Sequence, residues 1–193
     1  MKIYLTGITG GIGSGKSVVS QILTALGQQV YDCDSRAKAI MDSSDAIKDE
    51  IRTRISEECI DTCNNIDRKR LAAIVFADTR MLDLLNGIVH KAIREDITAW
   101  AASLGGGKAW VESAILYESG IDRMVDEVWE VMAPEELRIE RVVKRNGIAP
   151  EEVRKRIDSQ RRAEDYTKHP NTKIVVNDDV QPLLKQILHL LSE

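Results

Sequence analysis

Residues 10 to 17, Gly10-Gly11-Ile12-Gly13-Ser14-Gly15-Lys16-Ser17, fit the pattern G-x-x-x-x-G-K-[ST] and constrain the chain more than any other stretch. Glycines let the backbone curl and turn consecutive N–H groups inward, where they converge on phosphate oxygens. The helix that follows points its positive dipole end at the same place; Lys16 reaches the β and γ oxygens, and the Ser17 hydroxyl suits Mg²⁺. A Gly-rich turn with a stray lysine would lack the flanks seen here. Ile3–Ile8 reads as a buried strand, and Val19, Ile22, Leu23 and Leu26 follow at helical spacing before Gly27.

The 193 residues suit one compact domain with a small insertion, and 43% hydrophobic with 30% charged residues is the balance of a water-soluble globular protein. A net charge of −4 argues against broad nucleic-acid or membrane-surface binding, so any basic site must be concentrated. No signal-peptide pattern opens the chain, and no apolar run reaches the roughly 18 residues a membrane span needs, so a cytoplasmic protein is expected. Cys33, Cys59 and Cys63 are an odd set that fits a reducing compartment. The i, i+4 spacing of Cys59 and Cys63 would let them share a helix face, but with His only at 90, 169 and 189 no metal-ligand cluster is expected.

Gln28–Tyr31 reads as a second strand that runs into Asp32-Cys33-Asp34. In an open parallel sheet, strand carboxyl ends line the ligand crevice, which would put these acids beside the phosphate loop. One of them can also N-cap the next helix. Two acids one residue apart at a strand end suit Mg²⁺ positioning and activation of a hydroxyl. Residues 36 to 104 are almost wholly helical in pattern: Asp45–Glu58, Asp67–Ala77, and a long helix over Thr79–Leu104 with Leu82, Leu85, Val89, Ile93, Ile97 and Trp100 on one face. This is long for a crossover and is expected to build the pocket of a second substrate. His90 lies on the long helix, where a lone histidine is more often packing than a ligand.

Strands are predicted over 108–116, 125–132 and 172–177, with Trp110 and Trp129 packing on the sheet face, and Pro182 opens a last helix. Strands alternating with helices imply a five-stranded parallel α/β sheet sandwiched by helices. The core is expected at about 1–35, 108–133 and 171–193, with the helical insertion at about 36–107 and a helical lid at about 134–170. The lid stretch carries ten Lys/Arg and eight Asp/Glu, and Arg138, Arg141 and Arg145 share an arc of its first helix. Most of these charges suit a solvated hairpin laced with ion pairs. One or two suit a mobile arginine-bearing lid that neutralises charge on a moving phosphoryl group.

With these residues in hand the chain resembles the dephospho-CoA kinase family of P-loop kinases over nearly its whole length. The opening Leu5–Ser17 is similar to the family's glycine-rich start, and Asp32-Cys33-Asp34 matches its D-x-D. Ile115–Gly120 is similar to P-L-L-F-E-S-G. Arg141, Arg145, Arg156, Ile157 and Gln160 match the lid pattern, and Asn177 matches the Asn closing the last strand. Lys38 stands where an Arg is usual, with Arg36 nearby as a candidate substitute; His90-Lys91 replaces His-Pro, Ala114 a Pro, and Asn171-Thr172 an Ala-Asp.

The resemblance implies transfer of the γ-phosphoryl of ATP to the ribose 3′-hydroxyl of dephospho-coenzyme A. It implies Asp34, Lys16 and Arg141 as catalytic residues and Ser17 with Asp32 as the Mg²⁺ pair. ATP contacts would come from Gly11, Ile12, Gly13, Ser14, Gly15, Lys16, Ser17, Arg145 and Asn177. Acceptor contacts would come from Asp34, Lys38, His90, Glu118 and Arg141. The enzyme so implied is a monomer or small homo-oligomer with a small-molecule partner, no nucleic acid and no membrane. Rivals are another small-molecule kinase on the same scaffold, acting on nucleoside monophosphates or shikimate, and a nucleotide-gated switch; no N-K-x-D guanine-reading segment supports the switch.

Overall fold

The computed structural model describes residues 2–163 and 166–193. In chain order the elements are β1 (Ile3–Thr9), α1 (Lys16–Ala25), β2 (Gln29–Asp32), α2 (Cys33–Ser43), α3 (Asp45–Arg54), α4 (Arg68–Ala77) and α5 (Thr79–Ser103). Then come β3 (Gly107–Glu112), β4 (Glu127–Met132), α6 (Glu135–Asn146), α7 (Pro150–Ala163), β5 (Thr172–Val176) and α8 (Leu183–Ser192). Two compact units emerge, residues 1–31 with 105–193, and residues 32–104.

The first unit is built on a five-stranded sheet of order β2-β3-β1-β4-β5. β1 pairs in parallel with β3, from Ile3 opposite Gly107 to Ile8 opposite Glu112, and with β4 on its other side. β5 continues the parallel series beside β4. Leu5 through Thr9 are buried without alternation, as in a strand covered by helices on both faces. On one face Ile8, Trp110, Trp129, Val131 and Val175 meet Val19 and Leu23 of α1 and Ile187 of α8. The two indoles cross edge to face, with centroids 6.0 Å apart, so both tryptophans are packing residues.

β3 stops at Glu112, four residues short of the predicted strand, because the Ser113 hydroxyl accepts the Ile115 N–H and folds the chain into a turn. That turn drives Leu116, wholly buried, under β1.

The second unit is helical but not throughout. The helix predicted over Asp45–Glu58 ends at Arg54: Ser56 is extended, and its hydroxyl accepts the Glu58 N–H to start a separate 3₁₀ turn over Glu57–Cys59. Ile60 and Ile66 then form an antiparallel bridge around a loop in which Asp61 Oδ1 accepts the Cys63 and Asn65 N–H groups. Cys59 is buried and Cys63 exposed, so the pair does not share a helix face. Ile47, Ile51, Cys59, Leu71, Val75 and Ile88 form this unit's core. The buried stripe of α5 is Ile88, Ile93 and Ile97, with Ile88 taking the place predicted for Val89. Among the described residues no helix is long and apolar enough to cross a membrane, and no group of His, Cys, Asp and Glu forms a metal cluster.

Candidate active site

β1 feeds the glycine loop and α1 leaves it. Gly15, at φ +94°, caps α1 in the left-handed region, and a Cβ there would lie 2.0 Å from Asn177 Nδ2. Only glycine fits both demands. Lys16 curls its amine back onto the loop, donating to the Gly10 carbonyl at 2.7 Å. The N–H groups of Gly13, Gly15 and Ser17 have no hydrogen-bond partner among the described residues. Buried Ser14 Oγ is also unpartnered there. A concave loop that leaves donors unspent around a cation is what a polyphosphate needs, so these residues fit the phosphates of ATP.

The far side of the loop is held by β5 and α6. Asn177, one residue past β5 and buried, donates Nδ2 to the Ser14 carbonyl at 2.8 Å and its own N–H to the Met132 carbonyl at 2.8 Å. Arg141 of α6 donates to the Asn177 carbonyl at 3.1 Å and to Asp179 Oδ1 at 2.5 Å. Arg141 thus reaches the loop through Asn177. Arg145, one turn later, is exposed and donates to Asn146, and no contact joins it to the loop among the described residues.

Behind the loop a cavity of about 320 Å³ is lined by Gly11, Ser14, Glu130, Arg138, Gln160 and Arg161, among others. Glu118 lies in an adjoining recess with Gly10, Gly11, Tyr117 and Gln160. Arg138 and Gln160 were visible in the sequence only as members of a charged hairpin and a lid pattern, yet both touch the loop backbone at Ile12.

The second unit carries the acids. Asp32 is the N-cap of α2: its Oδ1 accepts the Asp34 and Ser35 N–H groups at 3.0 and 3.2 Å, and its Oδ2 the Ser35 hydroxyl at 2.5 Å. Both oxygens are engaged, leaving lone pairs that can still serve a cation or its water. The exposed Asp34 carboxylate sits in the first turn of α2 and has no hydrogen-bond partner among the described residues. Lys38 is exposed one turn later. Arg36 clamps Asp96 of α5 with two nitrogens at 2.7 to 2.9 Å, so its guanidinium ties two helices together. His90 of α5 is half-buried; burial, and then the Arg94 guanidinium, lower its pKa below 6.5 and keep it neutral at pH 7.

Comparison with known proteins places this geometry in a lineage. The dephospho-CoA kinase family profile matches residues 4–182. The chain is 38% identical over 186 residues to a dephospho-CoA kinase of Porphyromonas gingivalis, an overlap of 96% of this chain and 92% of the relative. Its fold matches a Thermus thermophilus crystal structure with TM-score 0.79 and 28% identity, covering 100% and 97% of the two chains. It also matches a dephospho-CoA kinase from Campylobacter jejuni with TM-score 0.70 and 25% identity, covering 99% and 96%. With the loop, its Asn177 tether and helices α6 and α7 all lying within the matched span, the chain belongs to the dephospho-CoA kinase family, ATP-dependent enzymes of the last step of coenzyme A biosynthesis.

Proposed function

We propose that this chain phosphorylates the ribose 3′-hydroxyl of dephospho-coenzyme A with ATP, using the residues named above in the following roles. The observation that carries the reading is the phosphate loop tethered at Ser14 to Asn177 and through it to Arg141, in a chain that matches the family from residue 4 to 182.

Within the loop of residues 11 to 17 the unspent N–H groups of Gly13, Gly15 and Ser17 and the Lys16 amine bind phosphate oxygens, while the Ile12 N–H is taken by Gln160 and the Ser14 N–H by the Gly11 carbonyl, so those two residues shape the loop instead of donating their amides. Ser17 and Asp32 hold Mg²⁺, Asp32 directly or through water. The ion supplies positive charge against the phosphate oxygens when bound. Asp34 orients the acceptor hydroxyl and takes its proton, a role supported by a carboxylate with no hydrogen-bond partner among the described residues. Arg141 offsets negative charge developing on the transferred group; Arg145 is exposed and assists only by turning inward. Lys38, His90 and Glu118 contact the acceptor. A neutral His90 donates or accepts a hydrogen bond there rather than pairing as a cation. The enzyme works in the cytoplasm as a monomer or small homo-oligomer, with no nucleic-acid or membrane partner.

ADP release from Mg-ATP, compared across dephospho-coenzyme A, AMP and shikimate with coenzyme A as the blocked control, tests the reading. Stimulation by dephospho-coenzyme A alone is expected. A preference for AMP or shikimate would keep the loop assignment and overturn the acceptor.

A further inference from the structure

The α6–α7 hairpin and the phosphate loop meet at one residue. Ile12 donates its N–H to Gln160 Oε1 of α7 at 2.8 Å, and its carbonyl accepts from Arg138 Nε of α6 at 2.9 Å. Its side chain packs on Ile139, Val142, Val153 and Ile157, the hairpin's own apolar core. A Cβ on Gly13 would come within 2.5 Å of the Arg138 carbonyl, so backbone lies on backbone at the next position.

The two ends of a trans peptide point in opposite directions. The Gly11 carbonyl turns into the loop and accepts the Ser14 N–H at 3.1 Å, so the Ile12 N–H of the same peptide turns out toward Gln160. Arg138 fixes the next peptide by its carbonyl. The hairpin therefore sets the planes of two consecutive peptides in the loop. It also carries Ile12 with it, so a rigid swing of the whole hairpin reshapes the loop.

We infer that Gln160 and Arg138 are positioning residues for ATP, which pre-set the phosphate loop by holding Ile12 from both sides. The inference rests on the loop's reading as the ATP phosphate site and concerns what keeps it in shape. A loop held at two peptides gives up less freedom when a ligand orders it, and binding is tighter by that saving.

The test uses the full chain: calorimetric ATP binding without acceptor, steady-state kinetics, and backbone hydrogen exchange for Gln160→Met, Arg138→Met, the double variant and Arg138→Lys. Each single Met variant should weaken ATP binding by about tenfold. The double should lose less than the product of the two, because both side chains hold one residue. The KM for dephospho-coenzyme A should hardly change, exchange should quicken in residues 10 to 17 alone, and Arg138→Lys should recover part of the affinity by keeping a donor. Unchanged ATP affinity in both single variants would overturn the inference, as would a loss matched by faster exchange throughout the sheet. ATP binding is read without acceptor, so a wrong acceptor leaves this test intact. Failure of the unmodified chain to bind ATP would instead remove the loop reading itself.

Discussion

Asn177 donates its side-chain amide to the Ser14 carbonyl over 2.8 Å, across 163 positions of sequence. The same residue accepts from Arg141 with its backbone carbonyl. One buried residue thus fixes the crest of the phosphate loop to the end of the sheet and to α6. The side-chain Nδ2 shapes the loop, while the backbone carbonyl and, at 3.4 Å, the side-chain Oδ1 hold the arginine.

Asn177→Leu keeps the branched shape and the number of side-chain heavy atoms but leaves the Ser14 carbonyl without its donor. We expect a loss of about 1–3 kcal/mol, the usual cost of a stranded buried polar group. Urea denaturation measures it, and a variant as stable as the parent would show that the tether contributes nothing.

Gly15→Ala meets two obstacles at once. An L side chain at φ +94° costs about 1–2 kcal/mol, and its Cβ would lie 2.0 Å from Asn177 Nδ2. Asn177 must give way and the loop opens. The variant should fold but lose the rise in melting temperature that ATP gives the parent. An unaltered ATP-dependent rise would contradict the tether's role.

Asp34→Asn removes a proton acceptor while keeping shape. Turnover should fall by roughly 10²-fold or more with the KM for ATP little changed, since general bases contribute on that order. Full turnover in this variant would take Asp34 out of the role.

His90 gives a pH signature. Burial and Arg94 lower its folded pKa below the ordinary 6.5, so the unfolded chain takes up a proton that the folded chain resists. Its contribution to stability is complete above pH 6.5 and is lost as pH falls below it. His90→Gln should lose less stability than the parent between pH 7 and the acid side of that value. Parallel stability curves for the two would count against a lowered pKa.

How much of this was legible in sequence depends on the range of the interaction. The loop was plain because phosphate binding needs Gly15, Lys16 and Ser17 at fixed local spacing between a strand and a helix. Asp32 and Asp34 stood out for a similar reason, and the N-cap expected of one of them is Asp32, whose Oδ1 accepts the Asp34 and Ser35 N–H groups of α2. The grip of Arg138 and Gln160 on Ile12 spans 126 and 148 positions, a distance over which spacing encodes nothing. The clamp of Arg36 on Asp96, 60 positions away, is equally invisible to spacing. The misjudged boundaries have a common cause. Ser56 and Ser113 each bond the backbone through a hydroxyl and end an element that apolar periodicity alone would have extended.

The most direct test of the account follows the phosphoryl group itself. The chain is incubated with ATP labelled at the γ-phosphorus, Mg²⁺ and dephospho-coenzyme A, and the labelled product is identified by chromatography and phosphorus NMR. The account predicts label in a 3′-phosphomonoester of coenzyme A, one for each ADP formed. Label found only as inorganic phosphate, unaffected by dephospho-coenzyme A, would contradict it and leave a nucleotide-hydrolysing switch in its place.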